Sequence, residues 1–426
     1  MSEENGQPDM VITSLDEICT AMMGQDSDRI LEWFQRIIAE KAPRNSVCES
    51  TRTTVVADMA RDVLANSDPD TAPNRVKIDQ SGKVVMVLPV RGEWSHEERE
   101  DGGGWEKGYL SRGGKTVVLA VVGGDVGGVV THVCPRSGAV RLSVPSDATG
   151  HGHIPTGVSA DLLGVTGTWV TGMVYRDTEG GGLSLDVGSL SYQDSEDMGV
   201  RVGAPVSLGS GTVERINEDS IDNRAVLLAQ RSLPAVVSLV AMLLVTSCLQ
   251  RRDAVDDTTV ETDGEKLLHS SVNVLFMAGP SIGAMRTALR REREGDMERA
   301  GYRDIEYTLS DINDTWVQIG TGSGAMGGGA LLAVGPHSSH ELNRALAQRV
   351  GAGDGVASSE CVTTVWREDL GKGEREGECM CPTGVRVEVP VHITNSVTES
   401  GLVDVGDILA GVTLAVDALQ MVAQFE

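Results

Sequence analysis

Apolar residues at positions 30, 31, 34, 37 and 38 of "DRILEWFQRIIAEK" recur at the spacing of one helix face, which predicts a helix over 28–41. "STRTTVVADMARDVL" repeats that spacing over 50–64, with Ser50 or Thr51 placed as its N-cap. The period then falls to two. "VKIDQSGKVVMVLP" (76–89) predicts two strands about a Gln-Ser-Gly turn, and "KTVVLAVVGGDVGGVVTHV" (115–133) predicts a buried strand followed by a second. From about 135 to 213, Val-rich runs such as "GAVRLSV", "LLGVTGTWVTGMVY" and "GLSLDVGSL" alternate with glycine turns, the pattern of a small all-β barrel.

Helix and strand alternate again beyond the barrel. "DNRAVLLAQ" (222–230) is expected to begin a helix, with Asp222 at its start. "LPAVVSLVAMLLVTSCL" (233–249) is apolar on every side and sits at the lower edge of a membrane-spanning length. Its two serines and one threonine favour a buried core helix, with Pro234 in the first turn or at a kink. The remaining pattern reads as strand 272–279, helix 284–294, strand 329–335, helix 338–351, strand 384–393 and a closing helix over 405–422. An α/β pattern interrupted by a β module predicts an α/β fold with a mixed central sheet flanked by helices. On this reading residues 28–134 and 214–426 form that domain, 135–213 are an inserted barrel, and 1–27 are a flexible N-terminal segment.

Composition narrows the picture. Aromatic residues are 3% of the 426, so the core must be built from Val, Leu, Ala and Met. A formal net charge of −26 repels phosphate backbones and argues against nucleic-acid partners. The seven cysteines (19, 48, 134, 248, 361, 379, 381) are odd in number and scattered, and the N-terminus is acidic and polar, so a reducing cytoplasm is expected and no membrane partner.

Several small constellations carry candidate chemistry. His151 and His153, with His132, have the His-x-His form of a metal site, but the flanking glycines and Pro155 favour a loop. His337 and His340 stand three apart at a helix start, where entry polarity explains them. Cys379 and Cys381, with Cys361 nearby in sequence, have the spacing of a soft-metal site. "GTGSGAMGGG" (320–329) has no following Lys-Ser/Thr and does not fit a phosphate loop.

Three longer segments carry a resemblance. They are "LSLDVGSLSYQDSEDMGVRVGAPVSLGSGTVERINEDSIDNRAVLL" (183–228), "LLAVGPHSSHELNRAL" (331–346) and "VEVPVHITNSVTESGLVDVGDI" (387–408). Their order resembles the dinuclear zinc aminopeptidases of the tetrahedral, deblocking, glutamyl and cellulase-M type, over about residues 28–424. The resemblance implies an aminopeptidase fold whose barrel is a dimerisation domain. In that family an aspartate bridges two zinc ions, each ion takes one histidine and one further carboxylate, and a glutamate is the general base.

The matching positions here depart from that set. Val122 falls at the first histidine and Gly124 at the aspartate two residues on. Asp222 keeps the bridging place. Pro280 falls at the general base, Ser281 at a metal carboxylate, Ser310 at the next acidic ligand (with Asp311 adjacent), and Asn395 at the final histidine. Val and Pro side chains offer no lone pair to a metal. The resemblance therefore implies a degenerate member with no metal cofactor and no dizinc peptidase activity. It would serve as an assembly subunit of a homo-oligomer, or of a hetero-oligomer with an active paralogue or an unrelated enzyme. Two alternatives stay open: an enzyme with a rebuilt site around Asp222, Asp311, His392 and cysteines, or a small-molecule or peptide-binding module in the vacated cleft.

Overall fold

The computed structural model describes residues 27–44, 46–65, 75–88, 116–144, 157–176, 182–216, 225–256, 274–299, 315–322, 324–334 and 384–425. Helix α1 (Ser27–Ala39) buries Ile30, Phe34, Ile37 and Ile38, the stripe its sequence predicts, and Arg29 lies over the ring of Trp33, itself buried. Helix α2 (Glu49–Ala65) follows, then the hairpin of β1 (Val76–Ile78) and β2 (Val85–Val87). Asp79 shapes the hairpin turn by accepting from the N–H groups of Ser81, Lys83 and Val84.

Strands β3 (Thr116–Val121), β12 (Val274–Gly279), β13 (Thr315–Gly322), β14 (Leu331–Val334) and β15 (Gly384–Pro390) complete a seven-stranded sheet with the hairpin. Its order is β1-β2-β12-β3-β13-β15-β14, parallel from β12 to β15 and antiparallel at both flanks. Its two faces follow the period of two. Val118, Ala120, Val274 and Phe276 join one core cluster, while Val117, Leu119, Leu275 and Met277 join another with Met285 and Leu289. The first cluster is covered by α1, α2, α4 (Leu233–Asp256) and α6 (Val405–Phe425), and the second by α5 (Ile282–Arg299). A sheet apolar on both faces needs helices on both, and the mixed sheet flanked by helices is what forms.

Helix α4 is the one apolar helix of membrane-spanning length among the described residues, and its window Leu233–Gln250 is 94% buried within the protein. Ser238 and Thr246 donate their hydroxyls to the carbonyls of Pro234 and Met242, one turn back, so burial leaves neither unsatisfied. Pro234 sits in the first turn, where its missing N–H costs nothing.

A closed antiparallel barrel is built from β4 (Gly127–Val133), β5 (Val140–Ser143), β6 (Val158–Leu163), β7 (Trp169–Arg176), β8 (Leu183–Asp186) and β9 (Pro205–Leu208), ordered β4-β5-β8-β7-β6-β9. Its interior is aliphatic, with Val130, Val140, Leu162, Val174, Leu185 and Val206 at its centre. The short helix α3 (Tyr192–Asp197) between β8 and β9 is capped by Ser191, whose side chain accepts from the Asp194 N–H.

Two helix starts are corrected. Helix α2 begins at Glu49, so Ser50 and Thr51 lie within its first turn and neither is its N-cap. "DNRAVLLAQ" does not begin a helix: Val226–Ala229 is a strand, β11. It lies between β10 (Val213–Arg215) and β17 (Ser400–Asp404) in a second sheet, with β16 (His392–Asn395) at its edge. An apolar run of four is too short to declare its period, and antiparallel partners on both sides decide it. Asp222, read from the sequence as the cap of that helix, lies outside the described residues. The predicted helix at 338–351 lies outside the described residues.

Candidate functional site

The carboxyl ends of β12 and β3 open into a recess of about 370 Å³, open mouth included. Ala278–Pro280 and Val122–Gly124 form its floor, and Glu49, Arg52 and Val56 of α2 form a wall. Crevices at the carboxyl ends of parallel strands are the usual ligand position in open α/β sheets. Lys83 from the hairpin turn closes one side, its Nζ 2.8 Å from Glu49 Oε2.

Four of the seven degenerate-site positions lie around this recess or in contact with its walls. Val122 donates its N–H to Gly279 O at 2.8 Å, and its side chain packs against the main core. Gly124 is pressed by the chain's own backbone. A Cβ there would stand 2.6 Å from Ala42 O and 3.0 Å from Arg44 Cα, too close for any side chain unless the backbone moves. Pro280 lines the recess, and Ser281 next to it caps α5, its Oγ accepting from the Ala284 N–H at 3.1 Å. Asn395 lies at the end of β16, where its Oδ1 accepts from the N–H groups of Val397 (2.9 Å) and Thr398 (3.3 Å) and builds the turn into β17.

Asp222, Ser310, Asp311, His337, His340, Cys361, Cys379 and Cys381 lie outside the described residues, as do His151 and His153. His132 and His392 are both exposed on strands of different sheets. Among the described residues no three His, Cys, Asp or Glu side chains gather at metal-binding distances. The Gly-rich segment 320–329 has a structural job. Gly327 and Gly329, both with positive φ, donate their N–H groups to the Asp407 carboxylate at 2.8 Å each, fastening the loop to the first turn of α6.

Among the described residues, one dense polar cluster was missed by the sequence reading. Asp125 is fully buried just beyond β3. It accepts from the Ala42 N–H (2.9 Å), Ser207 Oγ (2.9 Å) and Ser232 Oγ (2.7 Å), and is paired with Arg52. Arg231, also fully buried, stands 3.8 Å from Asp125 and 3.7 Å from Asp161, and Lys41 is 3.0 Å from Asp161. Burial alone would push the Asp125 carboxyl up. Arg52 and Arg231, with the Ser232 hydroxyl and the Ala42 N–H, outweigh it and hold the group at about 2. Burial likewise pulls the Arg231 guanidinium down against the pull of Asp125. Ser207 and Asp161 belong to barrel strands β9 and β6, so this cluster joins the barrel to the α/β domain.

A further cation, outside that cluster, stands nearer the surface. Arg44 donates Nε–H to Gly124 O at 2.8 Å and Nη2–H to Glu399 Oε1 at 2.5 Å. It bridges the segment after β3 to the β16–β17 turn.

No protein-family model and no curated protein matches the sequence. Solved structures do match the fold. An aminopeptidase from the archaeon Desulfurococcus kamchatkensis superposes with a TM-score of 0.56 at 13% identity, over 91% of this chain and 93% of that one. A TET aminopeptidase from a marine-sediment Thaumarchaeota archaeon gives 0.56 at 14%, over 93% and 97%. PhTET1-12s, with a dodecamer in its asymmetric unit, gives 0.52 at 12%, over 91% and 97%. The chain thus has, across nearly its whole length, the fold of the TET-type aminopeptidases.

Proposed function

We propose that the protein is a catalytically inactive relative of these aminopeptidases that serves as an assembly subunit. The observation that carries the reading is Gly124. Its neighbours Ala42 and Arg44 approach so closely that no side chain fits where an aspartate would be required. The other positions agree. Val122 offers only an alkyl group, Pro280 has no side-chain base, and the polar atoms of Ser281 and Asn395 are engaged in a helix cap and a turn. Two dications ~3.5–4 Å apart need several anionic oxygens and imidazoles to hold them. The described residues at the recess do not fit such a pair, and loss of the base alone removes ~10²–10⁴ in rate.

The assembly part of the reading rests on the barrel. Val129, Val165, Met173 and Val202 are large apolar side chains exposed on it, and the structural neighbour PhTET1-12s is a dodecamer. With a net charge of −26 on each copy, self-association requires a specific patch of this kind. A homo-oligomer in the cytoplasm is the form expected.

Elemental analysis of purified protein tests the first part. No stoichiometric zinc or cobalt is expected, and two equivalents per chain, with hydrolysis of aminoacyl substrates, would overturn the reading. Native mass measurement tests the second, and a monomer at all concentrations would count against it.

A further inference from the structure

Two non-glycine residues among those described have left-handed backbone, Ser232 (φ 49°) and Glu399 (φ 53°). They belong to one contact. The Ser232 N–H donates to Thr398 O at 3.0 Å, and the Leu233 N–H donates to Glu399 O at 2.9 Å. The start of α4 and the β16–β17 turn therefore hold each other through two residues in conformations that side chains disfavour. Such strain persists only where the surroundings over-determine it.

The fastenings can be traced. Ser232 is tied to Asp125 through its hydroxyl, and Asp125 is held by Arg52 and Arg231. Glu399 is tied through its carboxylate to Arg44, whose Nε–H reaches Gly124 O. Both ties end on the same two residues beyond β3, Gly124 and Asp125. One is buried throughout. The other is near the surface, with the Arg44 side chain 41% and the Glu399 side chain 25% exposed.

We infer that Arg44 and Glu399 form a salt-sensitive latch, which holds the strained β16–β17 turn against the start of α4 and against the floor of the recess at Gly124. This rests on the reading that the cleft holds no metal pair, since the latch places a guanidinium as the bridging cation between these segments. The exposure of the pair makes it the weak tie. Salt screens a half-exposed pair over about a Debye length but leaves the buried Asp125 cluster almost untouched. Opening is therefore local: the turn and the first amides of α4 release while the barrel and the sheet stay closed.

Hydrogen–deuterium exchange on the full chain tests this, following peptides that report residues 229–236 and 392–404, with barrel peptides as the internal control. Arg44→Met keeps the stem and removes the charge, and Glu399→Gln removes the opposite charge at similar size. In low salt each variant should speed exchange in both peptides by roughly five-fold, and the double variant no further. Raising NaCl to about 0.5 M should speed exchange in the wild type but not in the variants. Unchanged exchange in both single variants, additive effects in the double, or a wild type indifferent to salt would overturn the latch. A wild type whose turn loosens on adding EDTA would overturn the metal-free reading beneath it. That outcome is distinguishable, because failure of the latch alone leaves exchange insensitive to chelator.

Discussion

Replacing Asp125 by alanine should be among the most damaging single changes in this chain. Removal of the carboxylate leaves Arg52 buried without its anion and Arg231 with Asp161 alone, and leaves three donors, the Ala42 N–H and the hydroxyls of Ser207 and Ser232, without that acceptor. Breaking a buried ion pair from one side costs ~3–5 kcal/mol, most of it the penalty of the stranded charge. At ~2–4 °C per kcal/mol, Tm should fall by roughly 6–20 °C, nearer the low end for so long a chain. Acid should reproduce part of the effect. The folded pKa of Asp125 is depressed from 3.8 to about 2, so its contribution is present above the unfolded value and is lost as pH falls from about 4 toward 2. That shift corresponds to on the order of 2 kcal/mol. It is smaller than the truncation cost because a protonated carboxyl still fills the site and bonds. The assay is thermal or urea unfolding of wild type and variant between pH 3 and neutrality. A variant within about 1 kcal/mol of wild type at neutral pH would show that the two arginines find other partners, and would refute the reasoning.

Two further changes test local geometry. Gly124→Ala should cost ~1–3 kcal/mol, because the new methyl meets backbone atoms of Ala42 and Arg44 that no rotamer change can move aside, and a loss under about 0.5 kcal/mol in urea unfolding would show that the 42–44 segment gives way. Cys134 follows β4 in a turn where the Ser137 hydroxyl, then the N–H groups of Ser137 and Arg136, bring its thiol down to about 7. Its alkylation should be half-maximal near that pH and disappear in Cys134→Ser. Ser137→Ala should shift it upward, and a thiol that reacts only at the ordinary cysteine pH would contradict this hydrogen bonding.

The periodic elements were legible in the sequence because burial leaves a regular mark. The stripe Ile30, Phe34, Ile37 and Ile38 and the long, mostly apolar run at 233–249 each read as a helix, and each forms one with its apolar side chains buried. The run at Val226–Ala229 had two, and only its partners β10 and β17, distant in the chain, select the strand. The Asp125 cluster went unread for a similar reason. Its members at 41, 52, 125, 161, 207, 231 and 232 are brought together by folding alone. A signal was nevertheless present. Asp125 is the only charge in the segment 116–133, and Arg231 the only one in 225–250. A lone charge inside an apolar stretch must be paired or expelled, and two of opposite sign invite pairing with each other. At the recess the sequence named the positions from resemblance. That Gly124 is a packing glycine, and that Asn395 shapes a turn, are visible only in three dimensions.

The closed barrel also bears on the order in which the chain can fold. Strand β3 has to wait for β12, its parallel neighbour, until a long stretch of intervening chain has been made. Bringing such distant segments together is entropically slow, and slower the longer the open loop between them. The barrel shortens that loop without shortening the chain. Its first and last strands pair, Gly127 opposite Ser207, so once it has closed its two ends leave side by side. A barrel that forms early works as a staple in the unfinished sheet, and β3 then searches for β12 as though most of the insertion were absent.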